Sequence, residues 1–366
     1  MIKKLSILIG FTIISMPVLR CFAQQQNTAL INLKANPSIV KPNQFYVKEV
    51  IDSRKNKTAL GKVQPYKGGT ITLPYNTNLK GGSAVLSAFV ANSVYADKER
   101  RPIIVTINEL SVNEEPLTAG AVKGNIKISL SFALQGRYSA IDLSSYTSST
   151  TFQRPAGSPQ QIEPILSKTI TNGLIFFDNW MNTNAGNNIK LATAVKLSFA
   201  NYQDKTEGDT IFYRPDRPLT WDDFTGQPSK SLKHAAEIFS YIGYDQDVDL
   251  KNGVVYVKIS LKPWVAKSAS WVQAGQQNNY ALNHEQRHFD LTRLVAEHFK
   301  KRLYDLKLAP DTFEGEINMA YLDALRELNT IQKQYDTETA HARNTGEQQR
   351  WNDRIDKELI SAGIKS

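Results

Sequence analysis

LNHEQRHFDL, residues 282–291, is the stretch on which the reading of this chain turns. His284 and His288 stand four apart, and Glu285 follows the first of them. Ahead of it, Asn278 or Asn279 can cap a helix start, because an Asn side chain accepts the free amides of a first turn. Apolar residues then fall at Leu282, Phe289, Leu294, Val295, Phe299 and Leu303, with no glycine or proline before Pro310. The segment is therefore predicted to be one long amphipathic helix. At about 3.6 residues per turn, the two imidazoles share one face, one above the other. So placed, they can bind one Zn²⁺ at about 2.0–2.1 Å each. Glu285 lies about 100° around the helix. From there it can take a proton from an activated water without ligating the metal. A structural zinc site would not need that glutamate.

The third ligand must come from elsewhere. A motif of the form H-E-x-x-H-x-x-G-x-x-H would need glycine at 291 and histidine at 294, and Leu291 and Leu294 stand there. His298 is ten residues beyond His288, about 15 Å of helical rise, and is expected to be exposed or capping. His234, in the polar stretch SKSLKHAAE (229–237), reads the same way. Beyond Pro310, Asp311 with Glu314 resembles a capping box. Ile317, Tyr321, Leu325, Leu328, Ile331 and Tyr335 then form a helical stripe running into YDTETAHARNTGEQQRW (335–351). Tyr335, Asp336, Glu338 and His341 lie together there, and packing of the two helices would bring them to the metal. His341 is the preferred third ligand. Asp336 and Glu338 are alternatives, as ligands or as groups that orient an imidazole. Asp290 is either such an orienting group or a solvated carboxylate. Tyr335 either stabilises an oxyanion or packs in the core.

Upstream, GVVYVKISLKPW (253–264) alternates as a half-buried strand, and NYQDKTEGDTIFYRPDRP (201–218) reads as a hairpin at a domain boundary. Residues 24–200 speak mostly in strands: FYVKEVID (45–52), RPIIVTINEL (101–110) and GNIKISLSFAL (124–134). Helices are predicted within 81–98 and from Ile162 to Trp180, and LSSYTSSTTFQRPAGSP (143–159) as a loop or irregular strand. No histidine precedes His234, so this half carries no chemical constellation and is read as a binding or docking domain. Its IDSRKNKTALG (51–61) resembles auxiliary envelope lipoprotein domains. The fold class is α+β, in two domains, 24–200 and 205–366.

The 366 residues are 41% apolar and 22% charged, a globular balance. MIKK, the apolar LSILIGFTIISMPVL and the small residues Cys21 and Ala23 make residues 1–23 a signal peptide cleaved near Ala23. Export to the periplasm or beyond is expected, with no stable membrane span, because the run is too short. Lipid anchoring at Cys21 is disfavoured, since Arg20 stands where a small residue belongs. Cys21 is the one cysteine, so the mature chain has no disulfide or thiolate and its metal ligands must be His, Asp or Glu. Losing Lys3, Lys4 and Arg20 takes the formal charge from +9 to 9 − 3 = +6. The remaining cations are scattered, which argues against a nucleic-acid partner.

From about 205 to 366 the chain resembles a bacterial family of secreted zinc-dependent proteases (domain of unknown function 922). The resemblance rests on LTWDDFTGQP (219–228), SWV (270–272), HEQRHFD (284–290), and YDTETAH followed by Gln348 and Trp351. Where that family has glycine after the later histidine, this chain has Ala342. The resemblance implies a zincin-like metallopeptidase domain, with a small sheet over the motif helix, Zn²⁺ as cofactor and a protein or peptide as substrate. In such folds an extended substrate pairs with an edge strand above the metal. KSASWV (267–272) is the candidate edge, or else a buried strand end packed by Trp271. The alternatives are a non-catalytic envelope scaffold with a structural zinc, and a zinc hydrolase of cell-wall amide bonds.

Overall fold

The computed structural model describes residues 28–34, 37–118, 120–202, 205, 207–228 and 234–365. Residues 1–23, read above as a signal peptide, and with them Cys21, lie outside the described residues. Strict alternation builds the first half. In strand Ala121–Gln135, Val122, Ile126, Ile128, Leu130 and Phe132 are buried while Lys123 and Lys127 face water. This strand pairs antiparallel with Arg101–Thr118 and with Ala140–Pro155. The far edge of Arg101–Thr118 is shared by Phe45–Asp52 and Ala59–Val63, both parallel to it. Tyr75–Leu79 and Thr28–Ile31 complete a seven-stranded sheet. Helices α1 (Gly82–Asn92) and α2 (Ile162–Asn184) supply the rest of one core, in which the Phe132 and Phe177 rings stack at 4.1 Å. Of the two readings of the Ser/Thr-rich stretch, the irregular strand is the one found: it is an edge strand as far as Pro155, with a break in register at Leu143. Cross-strand bonds such as Thr147 Oγ1 to Ser129 Oγ (3.2 Å) hold its hydroxyls in register.

In the second half, Ser240–Lys251 and Val254–Ala266 form a hairpin whose turn residues, Asn252 and Gly253, both take positive φ (51° and 73°). Val255, Val257, Ile259 and Leu261 bury one face against α3 (Asn279–Asp305) and α4 (Phe313–Thr339). A third helix, α5 (Thr345–Ser361), packs Trp351 and Ile355 onto Leu291, Leu294 and Tyr335.

Two boundaries differ from expectation. Strand Ala194–Asn201 pairs in parallel with Val254–Leu261, so it belongs to the second sheet and the change of unit falls before residue 194. Among the described residues of 201–218 no internal strand pair is seen, and Thr210–Phe212 pairs with Trp264–Ala266 instead. Asp311 does not cap α4. Its Oδ2 accepts the Arg137 amide at 2.6 Å, beside an Arg137–Glu316 ion pair that ties the two halves together. The architecture is α+β. Among the described residues no helix is long and apolar enough to cross a membrane.

Candidate metal centre

The motif helix starts where the sequence says it should: Asn278 Oδ1 accepts the Ala281 amide at 2.9 Å. Its approach is fixed upstream as well. Thr220 and Asp223 form a reciprocal capping box, Arg217 grips Asp223 with both terminal nitrogens, and the Leu219 amide donates to Gln286 Oε1. Arg287 binds Asp356 through two bonds and Asp290 through a third, which clamps α3 to α5. Asp290 is fully buried and accepts the Tyr213 hydroxyl at 2.9 Å. It braces the back of the helix and does not touch either imidazole.

His284 and His288 are 4% and 8% exposed, and their rings stand 4.9 Å apart at 89°. Each Nε2 faces Asp336 Oδ1 on α4, at 3.3 Å from His284 and 3.0 Å from His288. The ligand atoms of these three side chains lie within 4.8 Å of one another. Donors held at about 2.0–2.1 Å by one tetrahedral zinc stand roughly 3.3–3.4 Å apart, so both Asp336 contacts have nearly that spacing.

The ring tautomers follow from permanent donors and acceptors. Arg287 Nε, which can only donate, points at Asn352 Oδ1. Gln348 must therefore offer its amide nitrogen to Asn352, at 3.1 Å, and turn Oε1 to His284 Nδ1, at 2.9 Å. On the other ring, the Gln332 amide nitrogen donates to the His288 carbonyl at 3.0 Å, which turns its Oε1 onto His288 Nδ1. Both Nδ1 atoms thus carry protons and both Nε2 atoms aim at Asp336. Two imidazole nitrogens and a carboxylate that converge in this way could hold one metal ion. Burial works against a charged His288, but Asp336, Glu285 and Gln332 together raise its pKa above the ordinary value. Burial likewise pushes Asp336 up, yet the two imidazoles hold it well below the usual carboxylate range.

The preferred third ligand, His341, is not in this group. Helix α4 ends at Thr339, and Ala340, His341 and Ala342 all take left-handed φ (51°, 52° and 65°). That turn carries His341 out of the helical register. Its Nδ1 sits 3.3 Å from Asp336 Oδ1, with the side chain 43% exposed and the ring stacked on His234 at 4.9 Å. Glu338 points away and accepts the Trp351 indole. Tyr335 is fully buried, stacks on His284 and accepts an amide hydrogen from Gln348 at 2.6 Å, so it braces the ligand from the core. His298 pairs with Glu327 on the α3–α4 surface, apart from the metal group, as expected. Left-handed alanine costs about 1–2 kcal/mol, and glycine removes that strain at some cost in unfolded-state entropy. Ala342→Gly should therefore raise the calorimetric Tm by roughly 2–4 °C; a lower Tm would contradict the left-handed turn.

Glu285 is 4% exposed and accepts the Ile238 amide at 2.9 Å. Burial pushes its carboxyl up, against the pull of His288 and His284. Glu285, both histidines and Asp336 line a cavity of about 500 Å³ whose other wall is the segment 234–241. Of the two readings of 267–272, the buried strand end packed by Trp271 is the one found, and the substrate-edge reading is not. Trp271–Val272 pairs with Ala236–Glu237, and Trp271 is buried. Residues 236–239 stand between it and the cavity.

Sequence reasoning missed His234 at the cavity, and it gave neither glutamine its role. Gln332 carried a signal, since it precedes Asp336 by one turn on the same helix face.

No family model matches this sequence, and no curated protein does. Among solved structures, a Xanthomonas campestris protein of the family called domain of unknown function 330 aligns with 43% of this chain and 99% of its own, at 11% identity and a TM-score of 0.27. A minor lipoprotein from Acinetobacter baumannii aligns with 28% of this chain and 80% of its own, at 12% identity and a TM-score of 0.19. Similarity at these scores carries no weight for fold or function.

Proposed function

We propose that this chain is an exported zinc-dependent metallopeptidase, with a zincin-like second half that hydrolyses peptide bonds and a first half that docks a partner. One observation carries the reading: two imidazoles whose Nδ1 protons are taken by glutamines present both Nε2 atoms, with Asp336, to one point on a cavity wall. Two neutral nitrogens and one carboxylate oxygen are a donor set that suits zinc and leaves a coordination position over. When bound, zinc would supply Lewis acidity, polarising a carbonyl and bringing the pKa of water down toward about 7.

The rest is done by the chain. Gln348 and Gln332 keep both rings in the binding tautomer. Asp336 offsets the positive charge gathered there. Glu285, held by the Ile238 amide, accepts the proton of the attacking water and returns it to the leaving amine. Its raised pKa suits both halves of that transfer. The resemblance over 205–366 and the leader-like residues 1–23 support the reading of an exported protease.

Outer partners of metal-bound histidines are worth about 10–100-fold in metal affinity. Gln348→Ala should weaken zinc binding by that factor in a chelator competition, and unchanged affinity would remove the tautomer argument. The test of the activity itself is cleavage of β-casein by the zinc-supplemented mature protein. Cleavage should stop with 1,10-phenanthroline and return with zinc. A chelator that lowers Tm in a protein that never cuts would point instead to a zinc-stapled scaffold.

A further inference from the structure

One edge of the first sheet is left open. Ala140–Pro155 ends the strand order and pairs with Ala121–Gln135 alone among the described residues. The opposite end of that sheet, Thr28–Ile31, is four residues long, as exposed edges often are, whereas this edge runs for 16. Edges of such length normally carry lysines, prolines or bulges that refuse a further strand. Here the bulge at Leu143 and Pro155 mark only the two ends, and Lys190 Nζ, which donates to the Asp142 carbonyl at 2.8 Å, covers the first of them. From Leu143 to Gln153 no residue is charged, and every residue from Ser144 to Thr151 bears a hydroxyl. An apolar rim lies beside the edge, on the side of α2. The Tyr146 and Phe176 rings meet at 5.2 Å, Phe176 is 38% exposed, and Trp180, partly buried, stands one turn further along the same face of α2.

We propose that this edge is a dimer interface: a second copy of the chain adds its own Ala140–Pro155 antiparallel to the first, about a two-fold axis at Ser148. Ser148 is the midpoint of the uncharged run 143–153. The axis therefore lays that run on itself, with Thr147 opposite Ser149, Tyr146 opposite Thr150 and Ser145 opposite Thr151. No like charges face each other, and hydroxyl pairs of this kind are favourable across strands. A two-fold interface demands a self-complementary surface, and this match is used in full only if the partner is the same run read in reverse. The paired run supplies about ten backbone hydrogen bonds, the number an ordinary stable interface carries. The two copies of α2 then flank the axis and cover Phe176 and Trp180. The inference gives the docking assigned to the first half a surface and a partner, and it does not depend on the metal centre.

Sedimentation equilibrium of the mature protein, from about 1 to about 200 μM, should show a monomer passing to twice its mass. Thr147→Lys combined with Ser149→Lys puts lysine opposite lysine across the axis and should weaken the dimer at least about a hundredfold. Both positions face solvent in the single chain, so an unchanged circular dichroism spectrum and Tm should show the sheet intact. Thr147→Glu combined with Ser149→Glu should likewise be monomeric alone. An equimolar mixture of the two variants should dimerise again, because lysine then faces glutamate. That rescue also shows that neither variant has lost its fold. A wild-type chain that stays monomeric throughout would overturn the inference, give the edge to a different partner and leave the metallopeptidase reading untouched. A dimer that survives in both variants, or a mixture that fails to re-form one, would overturn the two-fold pairing of this edge.

Discussion

Glu285→Gln keeps a full equivalent of zinc and lowers kcat by about 10²–10⁴, the range a positioned general base supplies. The drop falls on kcat rather than on KM, because the carboxylate's part is to take the proton of the attacking water and not to hold the substrate. Folding should survive the change. The glutamine oxygen can still accept that amide, and replacing a carboxylate that is 4% exposed and pushed upward by burial removes a desolvation cost. The Tm is expected to hold or rise slightly. Retained zinc with undiminished cleavage would take the base away from Glu285. Lost zinc would mean that the carboxylate ligates the metal.

The second large effect separates Asp336 from His341. Asp336→Ala removes an oxygen that both Nε2 atoms face, and zinc affinity should fall more than about a hundredfold, beyond what an outer partner contributes. His341→Ala should stay within about tenfold, because that ring is half out in solvent, beyond the left-handed turn and against His234. Chelator competition on both variants gives the answer. The reverse order would restore His341 as the ligand and make Asp336 its orienting carboxylate.

The pair His284 and His288, with Glu285 beside it, was legible because four residues nearly match one helical turn, and a periodicity is local information. The strands of both halves were legible for the same reason, as in Val255, Val257, Ile259 and Leu261. The choice between Asp336 and His341 was not. It depends on how α4 is rotated against α3 and on a helix end marked by Ala340 at φ 51°, without the glycine that usually announces such a turn. The glutamines stayed invisible because His284 and Gln348 are 64 residues apart, and the tautomer passes through Arg287 and Asn352 on two different helices. The choice between the two readings of 267–272, which fell to the buried strand end, was closed to the sequence for a related reason. Trp271 pairs with Glu237 and Val272 with Ala236, partners that no local pattern marks. Strand Ala194–Asn201 was not singled out in the sequence, and its residues up to 200 were placed in the first half, because a local pattern does not say which sheet receives a segment.

The most direct test is an anomalous difference map, collected at the zinc absorption edge from crystals of the zinc-loaded protein. The account predicts one strong peak within about 2.2 Å of His284 Nε2, His288 Nε2 and an Asp336 oxygen, open on the side of the Glu285 cavity. A peak remote from the two histidines, or one closed by four protein ligands with no face toward that cavity, would contradict it.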